Sequence, residues 1–80
     1  MIPRVRCQSK SPNHFFGFYK GHTLDIRREN RNDPWYISVS GEDGYLYDGW
    51  WTEPEQEYRI ATRREAIVEA LKGSRLWGTD

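Results

Sequence analysis

Residues 35–51, WYISVSGEDGYLYDGWW, have the pattern of a β-hairpin, and this stretch sets the fold of the chain. In its first half, apolar side chains alternate with side chains that carry a hydroxyl, which predicts a strand with one buried face. The residues GEDG are typical of a hairpin loop, and GYLYDGWW then returns as a second strand. The buried face of the first strand takes three residues: Trp35, Ile37 and Val39. The hairpin therefore predicts an antiparallel sheet that packs one face against a core.

The length of the hairpin loop decides which rings of the returning strand are buried, because a slip of one residue exchanges every side chain between the faces. A loop of two residues (Asp43-Gly44) or of four (Gly41 to Gly44) buries one set: Leu46, Asp48 and Trp50. A loop of three residues, with Gly44 in the left-handed conformation, buries the other set: Tyr45, Tyr47 and Trp51. The sequence is compatible with all three loops.

We favour the first set, because Leu46 and Trp50 pack better against a helix than two tyrosines whose hydroxyls need hydrogen-bond partners. A β-bulge at Asp48-Gly49 would turn the carboxylate outward. The predicted core on the helix side is then Leu24, Ile26, Trp35, Ile37, Val39, Leu46, Trp50, Ile67, Ala70 and Leu71. The opposite face displays the candidate binding residues, which are Tyr36, Tyr45, Tyr47 and Trp51 beside Arg27.

The segments on either side of the hairpin complete an α+β domain. HTLDIRREN (residues 22–30) alternates like a half-buried strand, and TRRE (residues 62–65) has the spacing of a helix capping box. Gly73 stands where a left-handed helix cap is expected. We predict a flexible N-terminal arm over residues 1–14, although Ile2 and Val5 could add an edge strand, and a single domain over residues 15–80. That domain has three or four antiparallel strands in a meander, with one C-terminal helix packed on one face.

Composition and charge indicate a small domain that does not span a membrane. The 80 residues include 36% hydrophobic and 15% aromatic residues, so large rings supply much of the core. The single cysteine, Cys7, cannot form an intramolecular disulfide, and no apolar run of membrane length occurs, so we expect a cytoplasmic protein. The net charge is zero, but residues 33–57 contain seven acids and no Lys or Arg, between flanking basic segments. Such blocks either pair across neighbouring strands or give an electrically polar surface.

The sequence indicates no catalytic chemistry. His14 and His22 have no cysteine or carboxylate at the spacing of metal ligands, and nothing activates Cys7 as a nucleophile. Gly41 and Gly44 are turn glycines and not part of a phosphate-binding loop. We therefore expect no enzymatic activity, no catalytic residue, no cofactor and no metal.

Two binding functions remain. The aromatic face has the composition of a protein interface and predicts a protein-interaction module, which binds either a protein partner or a second copy in a homodimer. The alternative is a small nucleic-acid-binding module that uses the basic cluster Arg27, Arg28, Arg63 and Arg64. The acidic segment of residues 33–57 argues against the alternative, because phosphates would be repelled there.

Residues 17–73 resemble a broad set of small uncharacterised bacterial domains. The resemblance lies in the order of YKGHTLDIRRE, WYISVSGEDG and YLYDGWW as strands, followed by a helix that opens with TRREAI. It implies a sheet-plus-helix module of the kind often found on mobile elements, with no assigned catalytic residue.

Overall fold

The computed structural model describes residues 4–52 and 61–77. These residues form five strands and one helix: β1 (Arg6–Ser11), β2 (His14–Tyr19), β3 (His22–Arg27), β4 (Trp35–Gly41), β5 (Gly44–Trp51) and α1 (Arg63–Gly73). The strands pair in sequence order, each antiparallel to the next, as one open sheet. The predicted α+β meander with a C-terminal helix is confirmed, but it has five strands where three or four were expected. In the described part of the chain, no helix is both long and apolar enough to cross a membrane.

The additional edge strand, β1, lies within the predicted N-terminal arm of residues 1–14. All six residues of β1 are exposed, so the strand has no apolar alternation that would reveal it in the sequence. It forms by pairing with β2, whose Phe15 is buried and whose Gly17 allows a close approach. A Cβ atom on Gly17 would lie only 2.8 Å from the carbonyl oxygen of Arg6. Residues 6–11 therefore belong to the sheet and not to an arm.

The hairpin that joins β2 to β3 is set by its two loop residues. Lys20 and Gly21 have φ angles of 51° and 79°, as a type I′ turn requires at both central positions. This turn pairs Tyr19 directly with His22 and matches the right-handed twist of the strands. Leu24 and Ile26 of β3 then face the core as the alternation in the sequence predicts.

The hairpin between β4 and β5 corrects the predicted register. Gly41 pairs with Gly44, so the loop has two residues, but a bulge follows at Leu46 and shifts the pairing by one residue. Beyond the bulge, Val39 pairs with Tyr47. The remaining inward pairs continue the shifted register: Ile37 with Gly49, and Trp35 with Trp51. The short loop therefore leaves Tyr45 on the outer face, as expected for a two-residue loop, but places Tyr47 and Trp51 on the helix side, as expected for a three-residue loop, because the extra residue lies in the strand.

The core lies between the sheet and α1. The buried apolar residues are Phe15, Leu24, Ile26, Trp35, Ile37, Val39, Ala61, Ala66, Ile67, Ala70 and Leu71. Trp35 is fully buried, and its indole N–H donates a hydrogen bond of 2.7 Å to the carbonyl oxygen of Ala61. Leu46 and Trp50, which the sequence analysis assigned to this core, are exposed. Trp50 is moved to the opposite face by the bulge, and Leu46 is the unpaired residue of the bulge itself.

Helix α1 begins with the predicted capping box. Thr62 accepts a hydrogen bond from the backbone N–H of Glu65, whose carboxylate accepts one in return from the backbone N–H of Thr62. The helix ends differently from the prediction, because Gly73 is its last helical residue and not a left-handed cap. The left-handed residue is Arg75, with φ 64°, and Ser74 is the C-cap. Gly73 is instead the place where the ring of a β5 tyrosine contacts the helix, as described below.

Candidate interaction surface on the sheet

The face of the sheet opposite α1 is not covered by any described element, and we call it the open face. The strand pairing assigns these residues to it: Arg6, Ser9, Ser11, His14, Phe16, Phe18, Thr23, Asp25, Arg27, Tyr36, Ser38, Ser40, Tyr45, Asp48 and Trp50. They form three rows across the strands. The aromatic rings of these rows lie on β2, β4 and β5. Five rings and four fixed charges make the open face mixed in character and not simply apolar.

The most exposed large rings of the open face belong to β5. Tyr45 is 70% exposed and Trp50 is 64% exposed, which is unusual for large rings in a domain with so small a core. Trp50 is held by Tyr36, whose ring meets it edge-on with a centroid distance of 5.1 Å and an interplanar angle of 66°. Trp50 is therefore both accessible and held in place at the end of the sheet that also carries the β3–β4 loop.

A second aromatic pair lies on β2. Phe16 and Phe18 are half-buried and meet edge-on at a centroid distance of 5.5 Å. The guanidinium of Arg6 lies 5.4 Å from the centroid of Phe18. This pair extends the aromatic surface toward the β1 edge of the sheet, with a cation beside it.

The charged groups of the open face are connected through Asp25. The Nε2 atom of His14 lies 2.7 Å from Oδ1 of Asp25, and Nη1 of Arg27 lies 4.0 Å from its Oδ2. Arg27 also covers the ring of Tyr36, with its Cζ atom 5.2 Å from the ring centroid. Arg27 is thus positioned between an acid and a ring, which fixes its orientation on the open face.

The remaining acid of the open face, Asp48, is bound by Tyr36. The hydroxyl of Tyr36 donates a hydrogen bond to Oδ1 of Asp48. This hydrogen bond raises the pKa of Tyr36, because loss of the proton would place two negative charges together; the charge on Asp48 adds to the effect, and Arg27 opposes it. Tyr36 therefore links the ring of Trp50, the guanidinium of Arg27 and the carboxylate of Asp48.

Of the five candidate binding residues, three lie on the open face. Tyr36, Tyr45 and Arg27 are there, whereas Tyr47 and Trp51 lie on the helix side and are half-buried. The assignment of Tyr47 and Trp51 to the outer face was wrong because of the bulge at Leu46. The sequence analysis missed three rings of the open face: Trp50, Phe16 and Phe18. The alternation of HFFGFY around the buried Phe15 is the signal that could have found the two phenylalanines.

Tyr47 closes the junction between β5 and α1. Its hydroxyl donates a hydrogen bond of 3.0 Å to Oε2 of Glu69. Burial, the hydrogen bond to Glu69 and the negative charge of that carboxylate together raise the pKa of Tyr47 to about 12, with burial the largest cause. The ring occupies the space that a Cβ atom would take at Gly73. Tyr47 is thus a packing residue.

No cluster of metal ligands accompanies these contacts in residues 4–52 and 61–77. Within those ranges no three His, Cys, Asp or Glu side chains come together as metal ligands. Cys7 is an exposed free thiol on the edge strand. His14 and Asp25 are in contact, and Arg27 lies on the other oxygen of the same carboxylate, so the three form one group of charged and polar side chains on the open face.

Comparison of the chain with family models, curated proteins and solved structures gives no match.

Proposed function

We propose that the protein is a non-enzymatic interaction module that binds another protein chain through the open face, and that a second copy of the chain is the partner. The observation that carries the proposal is the exposure of Trp50 and Tyr45 on a sheet whose other face is packed against α1. Aromatic residues and arginine are enriched in protein interfaces, where a few of them supply most of the binding energy. Trp50, held by Tyr36, has the character of such an anchor.

The distribution of charge favours a second copy as the partner. Arg6 begins β1 and Arg4 precedes it, at the same end of the sheet where Glu42 and Asp43 form the β4–β5 turn. A two-fold axis parallel to β3 places β1 of one copy over β5 of the other. Arg6 then faces Tyr45, the residue at the other end of the same cross-strand row. Each copy thus brings its basic edge to the acidic turn of its partner, as a self-complementary interface requires.

The size of the open face indicates a weak dimer. Five strands at about 4.8 Å spacing and about 20 Å in length give a face of about 500 Å² on each copy, so a dimer buries about 1,000 Å² in total, which is at the low end for specific complexes. We expect a micromolar dissociation constant for the dimer, so that both monomer and dimer are populated at micromolar protein concentrations.

The test is the solution mass by light scattering or sedimentation across micromolar concentrations. The mass should rise toward that of a dimer, and Trp50→Ala should weaken the dimer by about 2 kcal/mol, or about thirtyfold, as removal of an aromatic anchor that is buried on association does. A chain that stays monomeric at every concentration would exclude the second copy as the partner. A dimer that Trp50→Ala leaves unchanged would exclude the open face.

A charge exchange tests the orientation of the two copies. Arg6→Glu should weaken the dimer about tenfold, and adding Asp43→Arg to it should restore affinity, because the reversed charges again face each other. Lys10→Glu is the matched control, since Lys10 lies on the same strand but pairs with the buried Phe15 and faces the helix side. Equal losses for Arg6→Glu and Lys10→Glu would contradict the arrangement.

A further inference from the structure

A cluster of arginines lies outside the open face, where the start of α1 meets the β1–β2 turn and the β3–β4 loop. We call it the arginine end and define it by Arg28, Arg31 and Arg63. Arg28 is fixed by three hydrogen bonds to neutral oxygens: Nε to Oδ1 of Asn13 at 3.0 Å, Nη2 to the carbonyl of Pro12 at 3.2 Å and Nη1 to the carbonyl of Arg31 at 3.2 Å. Its guanidinium also lies over the ring of Trp35, 4.3 Å from the centroid.

Arg63 joins the cluster from the first position of α1. Its Nη1 atom donates a hydrogen bond of 3.0 Å to the carbonyl oxygen of Ser11. Arg31 is exposed, and its side chain has no hydrogen-bond or ion-pair partner among the described residues. A guanidinium has five N–H donors, so the described contacts leave most of the donors of Arg31 and Arg63 unused and available to a ligand.

The positive charge of the arginine end has no ion-pair partner among residues 4–52 and 61–77. In the part of the chain that the structure describes, none of its three guanidiniums lies within 4.0 Å of a carboxylate oxygen. Burial lowers the pKa of Arg28, and the neighbouring charges of Arg31 and Arg63 lower it further. Of the acidic segment of residues 33–57, the acids of residues 33–52 make no ion pair with these arginines, and the others lie outside the described residues.

A pocket of about 430 Å³ lies between Arg28, the innermost residue of this cluster, and the rings of Tyr36 and Trp50. It is lined by Arg27, Arg28, Glu29, Tyr36 and Trp50. Fixed guanidiniums thus adjoin an accessible indole ring at one end of the sheet. Arginine donates bidentate hydrogen bonds to phosphates, and unpaired bases stack on exposed aromatic rings.

We infer that the arginine end binds the phosphate backbone of a single-stranded nucleic acid, with one base stacked on Trp50. A nucleic acid satisfies both halves of the site, whereas an acidic peptide would use the guanidiniums alone. The inference does not depend on the proposed self-association, because Arg28, Arg31 and Arg63 lie outside the open face. Trp50 borders both surfaces, so a bound strand and a second copy compete for it.

The test is the anisotropy of a fluorescent oligothymidine between about 50 and 200 mM salt, at protein concentrations where the chain is monomeric. The double variant Arg31→Gln/Arg63→Gln removes two phosphate contacts and should lower the slope of log K against log salt by about 1.4, at about 0.7 for each contact. Lys72→Gln/Arg75→Gln is the matched control, because it removes two cations at the other end of α1 and should leave the slope unchanged. Circular dichroism confirms that both variants are folded.

Two further ligands, a duplex and poly-glutamate, test which class of ligand the site binds and whether the ring of Trp50 takes part. A duplex of the same length should bind more weakly than the single strand, and Trp50→Ala should remove that preference while keeping the salt dependence. Equal competition by poly-glutamate would overturn the assignment to nucleic acid in favour of an acidic peptide. Absence of binding at about 50 mM salt, or equal losses for the two charge-matched variants, would overturn the site itself. The variant Arg31→Gln/Arg63→Gln should dimerise at the same concentrations as the unmodified chain, as measured by light scattering. A loss of nucleic-acid binding by this variant is then distinguishable from a loss of self-association.

Discussion

Replacing Gly73 by alanine tests the register of β5, because the two possible registers predict effects of opposite sign. A Gly to Ala substitution within a helix normally increases the free energy of unfolding by about 0.5–1 kcal/mol. In this structure, however, a Cβ atom at Gly73 would overlap Cδ2 and Cε2 of Tyr47 and lie 3.1 Å from its Cζ. The ring cannot move freely, because its hydroxyl is hydrogen-bonded to Glu69. Overpacking of this kind costs about 1–3 kcal/mol.

The net expectation for Gly73→Ala is a loss of about 1–2 kcal/mol, the overpacking cost less the gain in helix propensity. For a chain of this size, a loss of 1 kcal/mol corresponds to a fall of about 4–8 °C in Tm. The free energy of unfolding is measured by urea denaturation followed by far-ultraviolet circular dichroism. An unchanged m-value shows that the unfolding transition itself is not altered.

The background Tyr47→Ala is the matched control for the steric argument. Without the ring, Gly73→Ala should stabilise the protein, so that the two substitutions show a coupling energy of about 1–3 kcal/mol. A stabilising effect of equal size in both backgrounds would mean that Tyr47 does not contact the helix. In that event the placement of Tyr47 and Trp51 on the helix side, and of Trp50 on the open face, would be refuted together.

Three other substitutions examine the core, the helix cap and the pH dependence. Ile37→Ala should cost about 2–5 kcal/mol in urea denaturation, because Ile37 is fully buried, whereas Ser38→Ala on the opposite face should stay within about 0.5 kcal/mol; a near-neutral result for Ile37 would contradict the core. Thr62→Ala should cost about 1 kcal/mol through loss of the N-cap, and an unchanged Tm would mean that the capping box does not stabilise α1. The pKa of Tyr47 is about 12 in the folded chain and 10.0 ordinarily, so its contribution to stability is complete below pH 10 and lost as the pH rises from 10 toward 12. Tyr47→Phe should reduce the fall in the free energy of unfolding between pH 10 and 12. A fall equal to that of the unmodified chain would mean that other groups cause it.

Strand β4 and helix α1 were predictable because each has a complete local signal. The alternation of Trp35, Ile37 and Val39 has one interpretation, and the Thr62–Glu65 box fixes the start of the helix to the residue. In both elements, the local preference of the chain agrees with the packing that the whole fold requires.

The elements that were not predicted depend on partners distant from their own residues. Strand β1 has no buried side chain and exists because β2 offers it a pairing edge, which no pattern in residues 6–11 encodes. The faces of β5 depend on a bulge at Leu46, and a bulge at an ordinary residue leaves no mark in the sequence. The role of Gly73 follows from the same bulge, since only the shifted register brings Tyr47 to the helix. One unpredicted residue thus accounts for most of the errors in the candidate site.

The bulge at Leu46 also determines where this chain can change in length over evolution. Deletion of the codon for Leu46 would remove the unpaired residue and leave a regular strand in which Tyr45 still faces outward and Tyr47 still faces the helix. Deletion of any one residue from 47 to 49 would instead exchange the faces of the two tryptophans that follow if the bulge is kept, or put Leu46 in place of Tyr47 opposite Val39 if the bulge is lost. Homologous sequences should therefore contain single-residue gaps at position 46 and conserve their length beyond it.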